Sequence, residues 1–441
     1  MQVILFDLDF TLANTLSCQP YLTSVKGREE VLNFLSRSPL EVSGYGKELI
    51  ESFNAAADKD FSIAVVSDSP KNYCIKVLEC CGYKIDSRLV FGNQKKPLVD
   101  FDSLKNSLAD VLGVGVSEMN FLVVGDSPKD IYFAHQIRAP SVFAAWGTRY
   151  PVAQVERSQP SRTASNFQQL KNHIDDFLHN KLGFVFHDFY QGYNLFDPDF
   201  LTVKLLGDES VGYAREYVPY FENYRDSRDK YSSLDLRQIV KHAKNYEVSH
   251  HQHSFKMKHY GSGGFYDTTR SLKSLAGIYK RDFVRWLNQL GVHGTVLLVP
   301  VPPSVPQECN LSNPVALISE WWSGWVSDES DNIDVVNFDV FRRIVPKQSS
   351  HSTQGRRHMD DQFPTLGVEH GSCYKGVKVN YVIILDDVVT SGSHMNAIAS
   401  IISSTSVVPG SPKILGYALF KTVHPENDSS IDSLIDFSFL E

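Results

Sequence analysis

Short apolar runs alternate with stretches of helical spacing through the first part of the chain. The runs are "VILF" at 3–6, "IAVVS" at 63–67, "RLVFG" at 88–92 and "FLVVGD" at 121–126. Between them lie "REEVLNFL", "NYCIKVLECCG" and "FDSLKNSLADVLGV", whose apolar residues recur every three or four positions. Strand–helix alternation of this kind predicts a parallel sheet with helices on both faces. The polar stretch "VERSQPSRTASN" at 155–166 approaches a boundary, and the helical "FQQLKNHIDDFLHNKLG" closes a first domain over residues 1–182.

From 183 to 264 the rhythm is lost. This stretch is tyrosine-rich, as in "GYAREYVPYFENYRD", and reads as an irregular connecting segment or an N-terminal elaboration of the domain after it. Beyond Gly263 and Gly264 the alternation returns. "SLKSLAGIYKRDFVRWLNQLG" predicts a helix, "TVLLVPVP" a strand, "PVALISEWWSGWV" a helix and "YVIILDD" a buried strand, giving a second α/β domain over 265–441.

Composition narrows the class. The 441 residues suffice for two or three domains with real cores. With 42% hydrophobic and 21% charged residues the chain is globular. A net charge of −8 gives no general attraction to nucleic acid or anionic lipid, although a local basic patch leaves a nucleic-acid or protein partner open. The six cysteines show no paired metal spacing and read as reduced thiols. No apolar run approaches the ~20 residues of a membrane span, and the chain enters a strand at once, with no signal-peptide pattern. The expectation is a cytoplasmic protein without membrane contact, its oligomeric state left open. The histidine-rich "SHHQHSFKMKH" predicts a polar loop, and Trp321, Trp322 and Trp325 predict packing.

Two stretches carry chemistry. The first is "FDLDFTL", where a strand ends in Asp7 and the turn beyond it carries Asp9. A carboxylate at a strand tip can attack phosphorus or hold a cation, and a second can exchange a proton with the leaving oxygen. Further along, "VVSDS" ends a strand with Ser67, "QKKP" supplies Lys95 and Lys96, and "VVGDSPKD" supplies Asp126 and Asp130 after a glycine. Strand tips of a parallel sheet gather at one edge, so these distant residues are expected to converge. Acids for a hard cation, a hydroxyl and an ammonium make a phosphoryl-transfer site.

In these four motifs, in this order, residues 1 to about 182 resemble the haloacid-dehalogenase-like (HAD) phosphohydrolases. The resemblance implies a Rossmann-like domain with Asp7 as nucleophile and metal ligand and Asp9 as acid/base on the metal side. It implies Ser67 and Lys96 on the phosphate, and Asp126 and Asp130 on Mg²⁺. Phe10 stands where glycine is commoner. The roughly 55 residues between Asp9 and Ser67 leave room only for a small cap, hence an open site suited to bulky or tethered substrates.

The second stretch is "VIILDDVVTSGSHMNAI". A buried strand runs into Asp386 and Asp387, and the loop Thr390, Ser391, Gly392 and Ser393 opens a helix. Amides at a helix start favour an anion, hydroxyls add donors and glycine admits close approach, which together make a phosphate cradle. The paired acids suit sugar hydroxyls. This stretch resembles the phosphoribosyl-diphosphate (PRPP) motif of type I phosphoribosyltransferases, with the acids on ribose and the loop on the 5′-phosphate. His394 departs from the usual hydroxyl residue. "LLVPVPPS" at 297–304 and the basic "VFRRIVPKQSSHSTQGRRHMDDQF" look most like the competence-protein-F (ComF)-like branch, with Arg343, Lys347, His351 and Arg357 as PRPP-binding candidates.

The expectation is therefore a bifunctional α/β enzyme acting on small phosphorylated metabolites such as PRPP and nucleotides. A Mg²⁺-dependent phosphatase precedes a phosphoribosyltransferase, the two acting in sequence to leave a riboside. The alternative is a phosphatase with a non-catalytic PRPP or nucleotide sensor, in the stress-response and defence settings where similar fusions occur.

Overall fold

Strand β1 (Gln2–Phe6) is apolar from Val3 onward because neighbours cover both its edges and both its faces. Its alternate residues enter different cores: Ile4 and Phe6 one, Val3 and Leu5 the other. The computed structural model describes residues 1–22, 25–55, 61–217, 237, 239–247, 252–258, 265–329, 332–347 and 359–423. The chain divides into two compact units, Met1–Asp188 and Phe189–Glu441.

In the first unit, β2 (Phe61–Val66), β3 (Val90–Phe91), β4 (Asn120–Gly125), β5 (Ser141–Ala144) and β6 (Arg162–Ala164) join β1 in a parallel sheet of order β3-β2-β1-β4-β5-β6. The insertion after β1 carries α1 (Val25–Arg37) and α2 (Lys47–Ala55). Val31, Leu35, Leu49 and Phe53 from these helices share the core of Ile4 and Phe6, so the short insertion packs onto one sheet face. Helix α3 (Lys71–Cys81) follows β2 on that face, while α4 (Phe101–Leu112) buries Leu104 and Leu108 on the other. Helix α5 (Pro128–Gln136) follows β4.

The second unit is built on β7 (Val211–Tyr217), β8 (Gly294–Pro300), β9 (Ile333–Asn337), β10 (Tyr381–Val389) and β11 (Lys413–Thr422), all parallel in the order β7-β11-β10-β8-β9. Again alternate residues of a central strand feed two cores, Ile383 and Leu385 on one face, Val382 and Ile384 on the other. Helices α6 (Leu272–Gln289) and α7 (Pro314–Glu329) cover the first face. There Trp322 is buried, stacks on Phe283 at 4.7 Å and donates to the Ala276 carbonyl, while Trp321 and Trp325 stack on each other. Helix α8 (Ser393–Ser404) covers the second face.

The stretch that looks irregular in sequence contributes ordered edges. It supplies strand β7, and Tyr193–Leu195 of a small antiparallel sheet with Phe341–Arg343 and Leu366–Glu369. It also supplies Gln252–Lys258, which pairs antiparallel with Phe265–Ser271. An edge strand such as "VGYAREY" needs no unbroken apolar run, and Tyr213 lies partly in solvent. His253 falls on one of these strands, whereas His250, His251, His259 and Tyr220 lie outside the described residues. Among the described residues no helix is long and apolar enough to cross a membrane.

Candidate functional site

Register brings the first constellation together. Phe6 lies opposite both Val65 and Val124, so Asp7, Ser67 and Asp126 leave three adjacent strands at the same edge. The Asp7 amide continues the ladder by donating to the Val124 carbonyl at 2.8 Å. Carboxylate oxygens of Asp7, Asp126 and Asp130 all lie within 4.8 Å of one another, and all three residues are buried. The Lys96 ammonium reaches Asp7 Oδ1 at 2.5 Å and also pairs with Asp130. Its backbone is fixed by an N–H donated to Asp68 Oδ1 at 2.6 Å. Lys95 beside it is exposed.

Asp130 stands in the first turn of α5, where the Ser127 amide and hydroxyl both donate to its Oδ2. That leaves its other oxygen for Lys96. Gly125 makes room for this: a Cβ there would lie 2.2 Å from the Asp130 carboxyl carbon. Phe10 adopts φ 63°, a left-handed backbone in which glycine is relaxed and any other residue is strained by about 1 kcal/mol. Arg149 lies 5.6 Å from the centre of its ring.

The electrostatics of this pocket are unbalanced. Burial pushes Asp7 up to about 8 against the opposing pull of Lys96, with Asp130 and Asp9 adding to the rise. Asp126 is raised well above the usual carboxylate range, again by burial, then by Asp7 and Asp130. Burial opposes the Lys96 charge, but Asp130, Asp7 and Asp68 outweigh it and hold its pKa well above normal. Three carboxylates thus face one ammonium. A hard divalent cation would supply the missing positive charge and keep all three ionised, so the oxygen donors present fit such an ion.

Asp9 is placed differently from the expectation of a shared metal cluster. Its side chain lies outside the group of three and accepts hydrogen bonds from Thr15 (2.6 Å), Ser69 (2.7 Å) and Tyr73 (2.8 Å). Ser67 is buried, and its hydroxyl accepts from the Ser69 amide at 3.1 Å. Thr11, not singled out from the sequence, sets its buried hydroxyl 3.5 Å from Asp7 and 3.4 Å from Asp126. Its only signal was its place in "FDLDFTL", one helical turn's spacing after Asp7.

In the second unit a cavity of about 390 Å³ opens at the end of β10, lined by Asp386, Asp387 and the whole 388–394 loop. Gly392 adopts φ 70° and caps α8, a conformation that brings the loop back over the helix start. Ser391 and Ser393 hydroxyls lie 2.8 Å apart, and Thr390 is tied to Thr422 at 2.8 Å. Asp386 is buried and raised well above the usual range by burial and by its neighbour Asp387. Burial acts on Asp387 in the same sense, but Lys244, the hydrogen bond with Asp386 and Arg237 outweigh it and hold Asp387 low. Burial, with Arg343 and Lys347 nearby, pushes His394 down to about 3, so its imidazole is neutral at pH 7.

The basic residues expected to meet a ligand divide. Arg343 lines the cavity but is buried, and its guanidinium donates to Pro303 O (3.1 Å), Gln362 Oε1 (3.2 Å) and the Thr365 hydroxyl. Lys347 ties its backbone N–H to Ser304 O at 2.9 Å, and its side chain is not among those lining the cavity. Arg357 and His351 lie outside the described residues. Three cations not singled out from the sequence, Arg237, Lys241 and Lys244, line the cavity instead. Their spacing of four and three was the available signal, opposite the buried Ile239, Val240 and Ala243.

No family model matches this sequence, and no curated relative matches it. Solved structures similar to it cover its N-terminal part. A hydrolase from Pseudomonas syringae is 16% identical, over 40% of this chain and 99% of its own, with a TM-score of 0.32. A conserved haloacid-dehalogenase-like protein of unknown function from Agrobacterium tumefaciens is 16% identical, over 40% and 98%, with a TM-score of 0.30. A haloacid-dehalogenase-like hydrolase from Streptococcus pneumoniae is 12% identical, over 39% and 97%, with a TM-score of 0.28.

Proposed function

We propose that the first unit is a Mg²⁺-dependent phosphomonoester hydrolase of the HAD type. The observation that carries this is the convergence of Asp7, Asp126 and Asp130 around the Lys96 ammonium at one sheet edge. An Asp7 oxygen attacks phosphorus, the bond to the leaving alcohol breaks, and that alcohol's oxygen takes a proton from Asp9. Water then attacks the phosphorus of the aspartyl phosphate, giving its proton to Asp9 and restoring Asp7. Lys96 and the Ser67 hydroxyl hold phosphoryl oxygens throughout. Mg²⁺ held by Asp7, Asp126 and Asp130 would screen the carboxylates from the incoming phosphate. The test is hydrolysis of para-nitrophenyl phosphate with Mg²⁺ against EDTA. Asp7→Asn is expected to lose at least about 10³-fold in kcat, and a metal-independent rate that survives this change refutes the reading.

For the second unit we propose a type I, ComF-like phosphoribosyltransferase. Residues 390–393 would cradle the 5′-phosphate of PRPP, and Asp386 and Asp387 would accept from the ribose hydroxyls. A nitrogen nucleophile bonds to C1 as the bond from C1 to pyrophosphate breaks. The first unit would then remove the 5′-phosphate to leave a riboside. Incubation with PRPP and a panel of bases should release pyrophosphate and yield dephosphorylated product. A sensor reading, suited to a stress-response or defence role, is favoured by His394, a neutral imidazole where the motif usually supplies a hydroxyl. It predicts PRPP binding without pyrophosphate release.

A further inference from the structure

Three cations, Arg237, Lys241 and Lys244, line the second cavity on the side of its acid pair. Of the other lining cations, Arg342 pairs with Asp339 and Arg343 turns its donors to Pro303, Gln362 and Thr365. Arg343, Lys347 and Lys244 all bear on His394, on the loop side. Lys244 and Arg237 act on Asp387, and Lys244 also on Asp386, on the acid side.

The acid-side cations come from one short element. Arg237 and Lys241 lie on the helix containing 237 and 239–243, and Lys244 in the turn after it, so the three form one stripe. That element is firmly docked. Ile239, Val240 and Ala243 are buried on its other side, the Leu311 amide donates to the Lys244 carbonyl at 2.8 Å, and the Ser312 hydroxyl donates to the Ala243 carbonyl at 2.6 Å. The stripe therefore forms a fixed wall of the cavity. On the proposed reading the amides and hydroxyls of 390–393 would serve one phosphate at the start of α8. Beside the acids, where the sugar would lie, a second ligand would meet this wall, because the cations and the acids line one cavity.

We propose that Arg237, Lys241 and Lys244 form a subsite for an anionic group, a carboxylate or phosphate, carried by the second ligand of this cavity. The inference rests on the transferase or sensor reading and makes the nucleophile an acidic heterocycle rather than a neutral base. Cationic side chains fixed on a docked helix recognise such a group through charge-assisted hydrogen bonds worth roughly 1.5–3 kcal/mol each, about ten- to a hundredfold in affinity.

The test is calorimetric binding to the full chain of matched pairs, orotate with uracil and nicotinate with nicotinamide, with and without saturating PRPP. At least one acid should bind about tenfold or more tightly than its neutral partner. Lys241→Gln should shrink that preference to under about threefold and Lys241→Glu should reverse it, while circular dichroism is unchanged. Equal binding within both pairs, or no binding of any member, overturns the subsite. A Lys241→Gln protein that loses PRPP as steeply as the acid also overturns it, because the cations would then serve pyrophosphate. If PRPP does not bind while the acid preference and its loss are observed, the subsite stands and the PRPP reading falls.

Discussion

Replacing Lys96 by methionine keeps the volume of the side chain and removes its charge. The Lys96 side chain is 5% exposed, and its partners Asp7 and Asp130 are 10% and 1% exposed. Solvent therefore cannot take over the role of the ammonium. Breaking a buried ion pair by deleting one partner costs about 3–5 kcal/mol, because the remaining charge is left uncompensated. One ammonium here serves two carboxylates, which favours the upper end. Proton uptake works against this: Asp7, raised to about 8, is largely neutral at pH 7 even beside Lys96, so the pair that the change breaks is chiefly the one with Asp130. A loss of about 3 kcal/mol is expected. The assay is urea unfolding of the full chain in EDTA at pH 7, monitored by circular dichroism. The transition that Mg²⁺ shifts belongs to the first unit. Adding Asp130→Asn to Lys96→Met removes the other half of that pair and should recover at least about 1 kcal/mol relative to the sum of the two singles. A single variant that loses less than about 1 kcal/mol, or a double variant that loses the full sum of the two singles, would refute the coupling.

The same geometry sets three other outcomes. Asp7 has its folded pKa raised from 3.8 to about 8, so the native state holds a proton that the unfolded chain releases. Its contribution is fully present below pH 3.8 and is lost as pH rises to about 8. Stability of the metal-free first unit should decline across that window, and Asp7→Asn should flatten the decline in a thermal-melt series. Gly125→Ala places a methyl 2.2 Å from the Asp130 carboxyl carbon, so Asp130 must leave Lys96; phosphatase activity should fall about a hundredfold or more, with Mg²⁺ affinity falling alongside it. Tyr73→Phe removes one of three donors to Asp9, and kcat should drop about tenfold with KM nearly unchanged, the signature of a positioning residue. Equal changes in both constants would assign Tyr73 to substrate binding instead.

The sequence by itself determined the central strands of both sheets and the residues at their ends. A strand covered on both faces must be apolar at every position, so "VILF" and "YVIILDD" stand out, and the polar residues that end them mark a sheet edge. Parallel pairing then forces Asp7, Ser67 and Asp126 to one place, whichever exact partners they choose. Gly125 and Gly392 were legible for the same local reason, close backbone approach, while the left-handed turn at Gly392 came only with the structure. Only the tertiary structure decided who pairs with whom. Asp9 is drawn to Thr15, Ser69 and Tyr73 instead of the carboxylate cluster, and Arg343 spends its donors inside the protein. Lys244 lines one cavity with the acids of a strand more than a hundred residues away, and its charge acts on them. Strand β7 sits at a sheet edge where no apolar run is required. Hydrophobic periodicity reports burial, which is local to each element; the direction of a charge or hydroxyl depends on neighbours distant in the chain, and only the folded arrangement supplies them.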